Sequence, residues 1–138
     1  MRDSGRPEPP SVLVLLSAYV APDPPALREV LAGLEEEAVP AVVDVARARS
    51  EDQPDDCVSL AERAAERATL EVGVGIARDG LCLTHRALPD GAPLERLGAG
   101  PTPEQARRLG HDAARLVTGI PLKLVEGAPV RPPPGPCP

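Results

Sequence analysis

The sequence predicts a three-layer α/β domain whose sheet is mostly parallel, with a hairpin supplying an antiparallel strand. Three observations carry this. Short apolar runs alternate with stretches of helical period in the order β-α-β-α-β-β-α. The first run, SVLVLLSA, is continuously apolar, as in a strand covered on both faces. The runs LEVGVGIA and GLCLTHR are separated only by RDG, a turn in which Gly80 is free to take a positive φ.

Taken in order, SVLVLLSA is the first strand. Asp23 then offers an N-cap, with Pro24 at the first helical position. Leu27, Val30, Leu31 and Leu34 recur at i, i+3, i+4 and i+7 and define a buried stripe. Pro40 limits that helix, and AVVDVA reads as the second strand. SEDQPDD is a loop, with Asp55 or Asp56 capping a helix from about Cys57 to Ala68. In the hairpin, Val72, Val74 and Ile76 face one layer, while Gly73, Gly75 and Ala77 let a helix approach the other closely. LPDGAPLERLGAGP is a connection holding a short edge strand at Leu94 to Leu97. The last helix opens with the capping box Thr102-Pro103-Glu104-Gln105. It buries Ala106, Leu109, Ala113, Leu116 and Val117, and it stops at Gly119 with Pro121 just beyond.

The folded unit runs from Ser11 to Val125, between proline-rich tails at 1–10 and 126–138 that are expected to be disordered or polyproline II. The apolar run after Arg2 and Arg6 is short and follows three prolines, so a buried strand fits it better than a signal peptide. No stretch approaches the ~18 apolar residues that span a membrane.

Composition excludes several functions. A net charge of −6 argues against nucleic acid, which needs a basic surface to neutralise phosphates. Tyr19 is the only aromatic residue, so the stacking platforms of single-strand binders are missing. Cys57, Cys82 and Cys137 are odd in number and lack C-x-x-C spacing, which suggests reduced thiols in the cytoplasm. GVGIAR lacks the third glycine of a dinucleotide fingerprint and runs into a hairpin turn. His85 and His111 have no second ligand at metal spacing, and no serine sits in a nucleophile elbow. The residues present no enzyme site.

The first helix offers a binding face instead. Glu35, Glu36 and Glu37 load its C-terminus, where the macrodipole disfavours acidic side chains. At 100° per residue, Glu36 points away from the apolar stripe and shares the outer face with Glu29, with Ala32 and Gly33 between them. A solvated helix face is the plain alternative. Gly33, however, costs about 1 kcal/mol relative to Ala in a helix interior. Close approach of a partner backbone would justify that cost. A carboxylate there also suits Mg2+ or Ca2+ shared with the partner. Glu36→Ala or Gly33→Leu is then expected to weaken assembly while leaving the isolated fold nearly unchanged.

Three segments, LREVLAGLEEEAVP, EVGVGIARDGLCLTHRALPDGAPL and GHDAARLVTGIPLK, together resemble the small subunit of the reactivating factor for diol and glycerol dehydratases. These dehydratases depend on adenosylcobalamin, and the small subunit is itself related to their medium subunit. The resemblance covers roughly half of the folded unit; the tails and Val43 to Ala68 match nothing comparable. It implies a three-layer α/β/α sandwich with a five-stranded mixed sheet, one strand antiparallel.

The resemblance also implies a role without catalysis of its own. A large chaperone-like ATPase subunit, in a heterotetramer, carries the ATP. The small subunit takes the medium subunit's place against the dehydratase large subunit, and damaged cobalamin leaves. By alignment of the first segment, Glu36 would be the carboxylate that contributes to a divalent metal site at the interface with the large subunit. The chain departs from the family's pattern in replacing aromatics near these motifs by Ala, Leu and Arg. The nearest alternative is the dehydratase medium subunit, and a more distant one is a free-standing small-ligand α/β protein. The implied location is the cytoplasm or a bacterial microcompartment.

Overall fold

The computed structural model describes residues 10–21, 23–47 and 56–119. Most of both tails, Cys137, residues 120–125 and most of the SEDQPDD loop lie outside the described residues. The elements run β1 (Val12–Leu16), α1 (Pro25–Glu36), β2 (Ala41–Val45), α2 (Cys57–Arg67), β3 (Val72–Ala77), β4 (Gly80–His85), β5 (Glu95–Gly98) and α3 (Pro103–Thr118).

The strands form one sheet of order β2-β1-β3-β4-β5. β1 pairs in parallel with β2 and with β3, and both pairings of β4 are antiparallel. β4 alone therefore runs against the others, which is the predicted mixed sheet. Alternation along the strands sorts side chains into two cores. Val12, Val14, Leu16, Val72, Val74 and Ile76 face α1 and α3, with Leu27, Val30, Leu34 and Leu109 packed onto them. Leu13, Leu15 and Cys82 face α2, which closes the other side with Leu60, Ala61 and Ala64. The sandwich has three layers, with α1 and α3 together on one face.

α2 comes so near the sheet because its covering strand carries glycine. A Cβ at Gly73 would lie 2.2 Å from the Ala65 nitrogen, and one at Gly75 2.3 Å from the Cys57 oxygen. The GVGIAR segment is thus filled by a helix backbone and leaves no room for a phosphate. Gly80 takes its turn at φ 136°.

Several local expectations are corrected. Pro24, not Asp23, occupies the N-cap of α1, with Pro25 at the first helical position. Asp23 is drawn off by Arg28, 2.9 Å away. α1 ends at Glu36, and Ala38 turns the chain at φ 61°. Leu116 and Val117 are only partly buried, packed at the margin of the α1–α3 core. β2 is an edge strand that leaves Val42, Val43 and Val45 exposed. Other expectations agree with the structure. Asp56 caps α2 by accepting from the Ser59 N–H at 2.7 Å, and both halves of the Thr102–Gln105 capping box form.

Candidate functional site

The face predicted on α1 is not open: it forms one side of a seam with α3. The apolar stripe marks only part of the buried arc, which widens through Gly33 because α3 lies along that flank. A Cβ at Gly33 would lie 2.3 Å from the Arg107 oxygen and 2.8 Å from the His111 nitrogen. Gly110 answers from α3, where a Cβ would lie 2.2 Å from the Val30 oxygen. The glycine cost of α1 is therefore offset by helix–helix contact within the chain. The expectation that Gly33 stays clear for a partner, and that Gly33→Leu spares the fold, is overturned.

The glutamates meet a basic row on α3 that helical spacing alone does not assign to this face. Arg107, His111 and Arg115 recur at i, i+4 and i+8 on α3 and so share one face. Arg107 Nε lies 3.0 Å from Glu29 Oε1, and its Nη1 lies 3.5 Å from Glu36 Oε2. His111 Nε2 lies 2.6 Å from Glu36 Oε1, and Arg115 Nη2 is 3.4 Å from Glu37 Oε2. The order of these pairs sets α1 and α3 parallel. The acidic C-terminus of α1 meets the guanidinium groups of Arg107 and Arg115 and the imidazole of His111 rather than being left against its own dipole. The signal was legible as helical spacing, but choosing between solvent and α1 as its target required the tertiary packing.

Glu36 nevertheless keeps half of its side chain exposed, and Ala32 beside it is only partly buried. The outer rim of the seam, Glu29, Ala32 and Glu36 with Arg107 and His111, is thus a polar surface accessible to a second protein. As a metal site it is incomplete. Both Glu36 oxygens already face cationic or imidazole nitrogens, and no group of three or more His, Cys, Asp or Glu among the described residues could hold an ion. The chain can offer one carboxylate donor, and a partner would have to bring the others.

Other candidates carry less. His85 ends β4, and its Nδ1 accepts the Ala87 N–H at 2.9 Å. Cys57 and Cys82 are fully buried against each other. The Cys57 thiol beside it, together with burial, pushes the Cys82 thiol up, away from the reactive thiolate. Asp79 from the hairpin turn accepts the Cys57 N–H at 3.0 Å and so acts as a second cap for α2. An open groove beside β2 is lined by Asp44, Arg47, Arg63, Glu66 and Arg67, and among the described residues its lining holds no nucleophile–base pair. Its Asp44 and Arg67 are joined at 2.8 Å.

Comparison with known proteins places this architecture. The family model described as dehydratase medium subunit matches residues 9–123. The propanediol dehydratase-reactivating factor small subunit of Citrobacter freundii is 37% identical over 95 residues, 69% of this chain and 77% of that protein. The diol dehydratase-reactivating factor small subunit of Klebsiella michiganensis is 37% identical over 97 residues, covering 70% and 72%. Among solved structures, a chain of the diol dehydratase-reactivating factor complexed with ADP and Mg2+ superimposes with a TM-score of 0.71 at 31% identity. The match covers 84% of this chain and 99% of that one. A chain of glycerol dehydratase reactivase gives a TM-score of 0.74 at 32% identity, covering 83% and 97%.

Proposed function

The chain belongs to the dehydratase medium subunit family, and from that premise we propose that it serves as the small subunit of a diol or glycerol dehydratase-reactivating factor. One combination of observations carries the reading. The matching model is that of a dehydratase medium subunit, whereas the relatives at 37% identity are reactivating-factor small subunits. A medium-subunit architecture placed in a reactivating factor suits a chain that takes the medium subunit's position. It binds the dehydratase large subunit in that subunit's stead, and damaged cobalamin is released. ATP acts on a large ATPase-like partner, with which this chain forms a heterotetramer, and reverses the exchange. The chain itself is non-catalytic.

Docking to the large partner uses the rim of the α1–α3 seam. Glu36 turns from His111 and Arg107 to the partner and donates one carboxylate oxygen to an interface Mg2+ or Ca2+, which would bridge the two chains. Glu29 and Ala32 border that contact. The assembly works in the cytoplasm or in a bacterial microcompartment; no helix among the described residues is long and apolar enough to cross a membrane.

The description of the family model favours a second reading, in which the chain is a dehydratase medium subunit. Co-expression separates the two. The reactivating-factor reading expects stable co-purification with a tagged ATPase-like subunit, weakened by Glu36→Ala and by chelator. Co-purification with the dehydratase subunits in a catalytically active complex would favour the second reading.

A further inference from the structure

Cys57, the first residue of α2, and Cys82 of β4 are both fully buried in the core between α2 and the sheet. The backbone around Gly75 brings them together. Gly75 of β3 stands opposite Cys82 in the antiparallel ladder. A Cβ at Gly75 would lie 2.3 Å from the Cys57 carbonyl oxygen, so the start of α2 sits directly over this cross-strand pair. Opposed residues of a ladder hold their Cβ positions about 5 Å apart, which puts the Cys82 side chain beside the same spot. On its other flank, Cys82 stands opposite Arg96 of β5. Arg96 Nη2 lies 3.1 Å from Asp79 Oδ2, and the Cys57 sulfur lies 3.6 Å from that same oxygen. Two fully buried thiols thus share one small space, bounded by Gly75, the first turn of α2 and the Asp79–Arg96 bridge.

The two thiols are not equivalent. Cys57 stands at the N-terminus of α2, where the helix dipole favours a thiolate. Hydrogen bonding from Cys82, aided by Arg96, holds Cys57 below the ordinary thiol range, against burial and the Asp79 charge. Cys57 and burial push the Cys82 thiol up. One sulfur is therefore suited to attack and the other to resolve.

We propose that Cys57 and Cys82 form a reversible dithiol–disulfide couple, oxidised by hydrogen peroxide, that fastens the start of α2 covalently to β4. The Cys57 thiolate attacks one peroxide oxygen; the O–O bond breaks, Cys57 becomes a sulfenic acid and hydroxide leaves. The Cys82 sulfur then attacks the Cys57 sulfur. The S–S bond forms, the S–O bond breaks, and the Cys82 proton leaves with that oxygen as water. The two thiols lose two electrons and the peroxide gains them. A small dithiol reverses the change by exchange. Both partners of the Asp79–Arg96 bridge are partly exposed, so opening this surface ion pair gives a small oxidant a route to the Cys57 sulfur.

The test treats the full chain with hydrogen peroxide, alkylates it in denaturant and digests it without reduction. Mass mapping is expected to find a linked peptide pair joining Cys57 to Cys82, lighter by two hydrogens than the separate peptides combined, and lost on adding dithiothreitol. The proposal is overturned if both cysteines are still alkylated, if either is carried irreversibly to the sulfinic or sulfonic acid, or if the link runs instead to Cys137 or to a second molecule. Cys82→Ser separates the two roles. In that variant Cys57 is expected to accumulate as a sulfenic acid that dimedone traps, well above the wild-type level. Equal trapping in both proteins overturns Cys82 as the resolving residue. The oxidised wild type is also expected to unfold at a higher denaturant concentration than the reduced chain. An equal or lower midpoint overturns the fastening of α2.

Discussion

Gly33 of α1 and Gly110 of α3 lie against each other so closely that a Cβ on the first would fall 3.1 Å from the carbonyl carbon of the second. The contact gives two poor helix formers a packing role in the layer above the sheet.

Alanine at either position would improve helix propensity by about 1 kcal/mol in a solvated helix. Here it must push backbones apart. Gly33→Ala and Gly110→Ala are each expected to destabilise the isolated chain by about 1–3 kcal/mol, measured by denaturant unfolding. A stabilised Gly33→Ala would mean that this face is open after all.

The rim of the same seam behaves differently. Glu36 and Arg107 are about half exposed, so their ion pair is screened, and removing it costs the isolated fold about 1 kcal/mol or less. A double-mutant cycle on Glu36→Ala and His111→Ala is expected to give a small coupling in the free chain, reduced further by salt. Each variant should lose far more in affinity for the large partner subunit, by calorimetry, if this rim is the docking surface.

The contrast between these two predictions marks what the sequence could convey. Periodicity located the apolar stripe of α1, the glycines of β3 and the capping box of α3, because each is a local rule with a local signature. It singled out Gly33 and Glu36 as unusual for the same reason. It could not say what occupied the space beside them, since α3 is about 75 residues away along the chain and the seam depends on where that helix packs. Glu95 of β5 is hidden for a related cause: a lone glutamate in a short edge strand looks solvent-facing, yet in the fold it is 2% exposed.

Asp79 ties the hairpin turn to the first turn of α2, accepting the Cys57 N–H at 3.0 Å, with the Cys57 thiol 3.6 Å from its other oxygen. Asp79→Ala removes a cap and is expected to cost about 1 kcal/mol in unfolding free energy. Faster labelling of Cys57 by a thiol reagent in native conditions should accompany the loss, as the helix start loosens. Unchanged labelling would show that the Asp56 cap suffices.

At the β2 edge, Arg67 holds the Asp44 carboxyl below its ordinary value of 3.8, first by hydrogen bonding to it, with the Val45 N–H adding to the effect. A lowered folded-state value means stability that is present above about 3.8 and is lost as pH falls further. Arg67→Ala is expected to flatten part of the acid limb of a thermal-melting profile and to leave the profile near neutrality within about 1 kcal/mol of wild type. An identical acid limb would show that the pair contributes nothing in solution.

The central claim is that this chain is the exchange partner of a reactivating factor, and reactivation itself tests it most directly. Glycerol-inactivated diol dehydratase is incubated with the large ATPase-like subunit, ATP, Mg2+ and fresh adenosylcobalamin, with and without this chain. The account predicts that activity returns only when the chain is present, and that Glu36→Ala slows the return. Recovery that is equal in its absence, or no recovery in its presence although the complex with the large subunit has formed, would contradict the account.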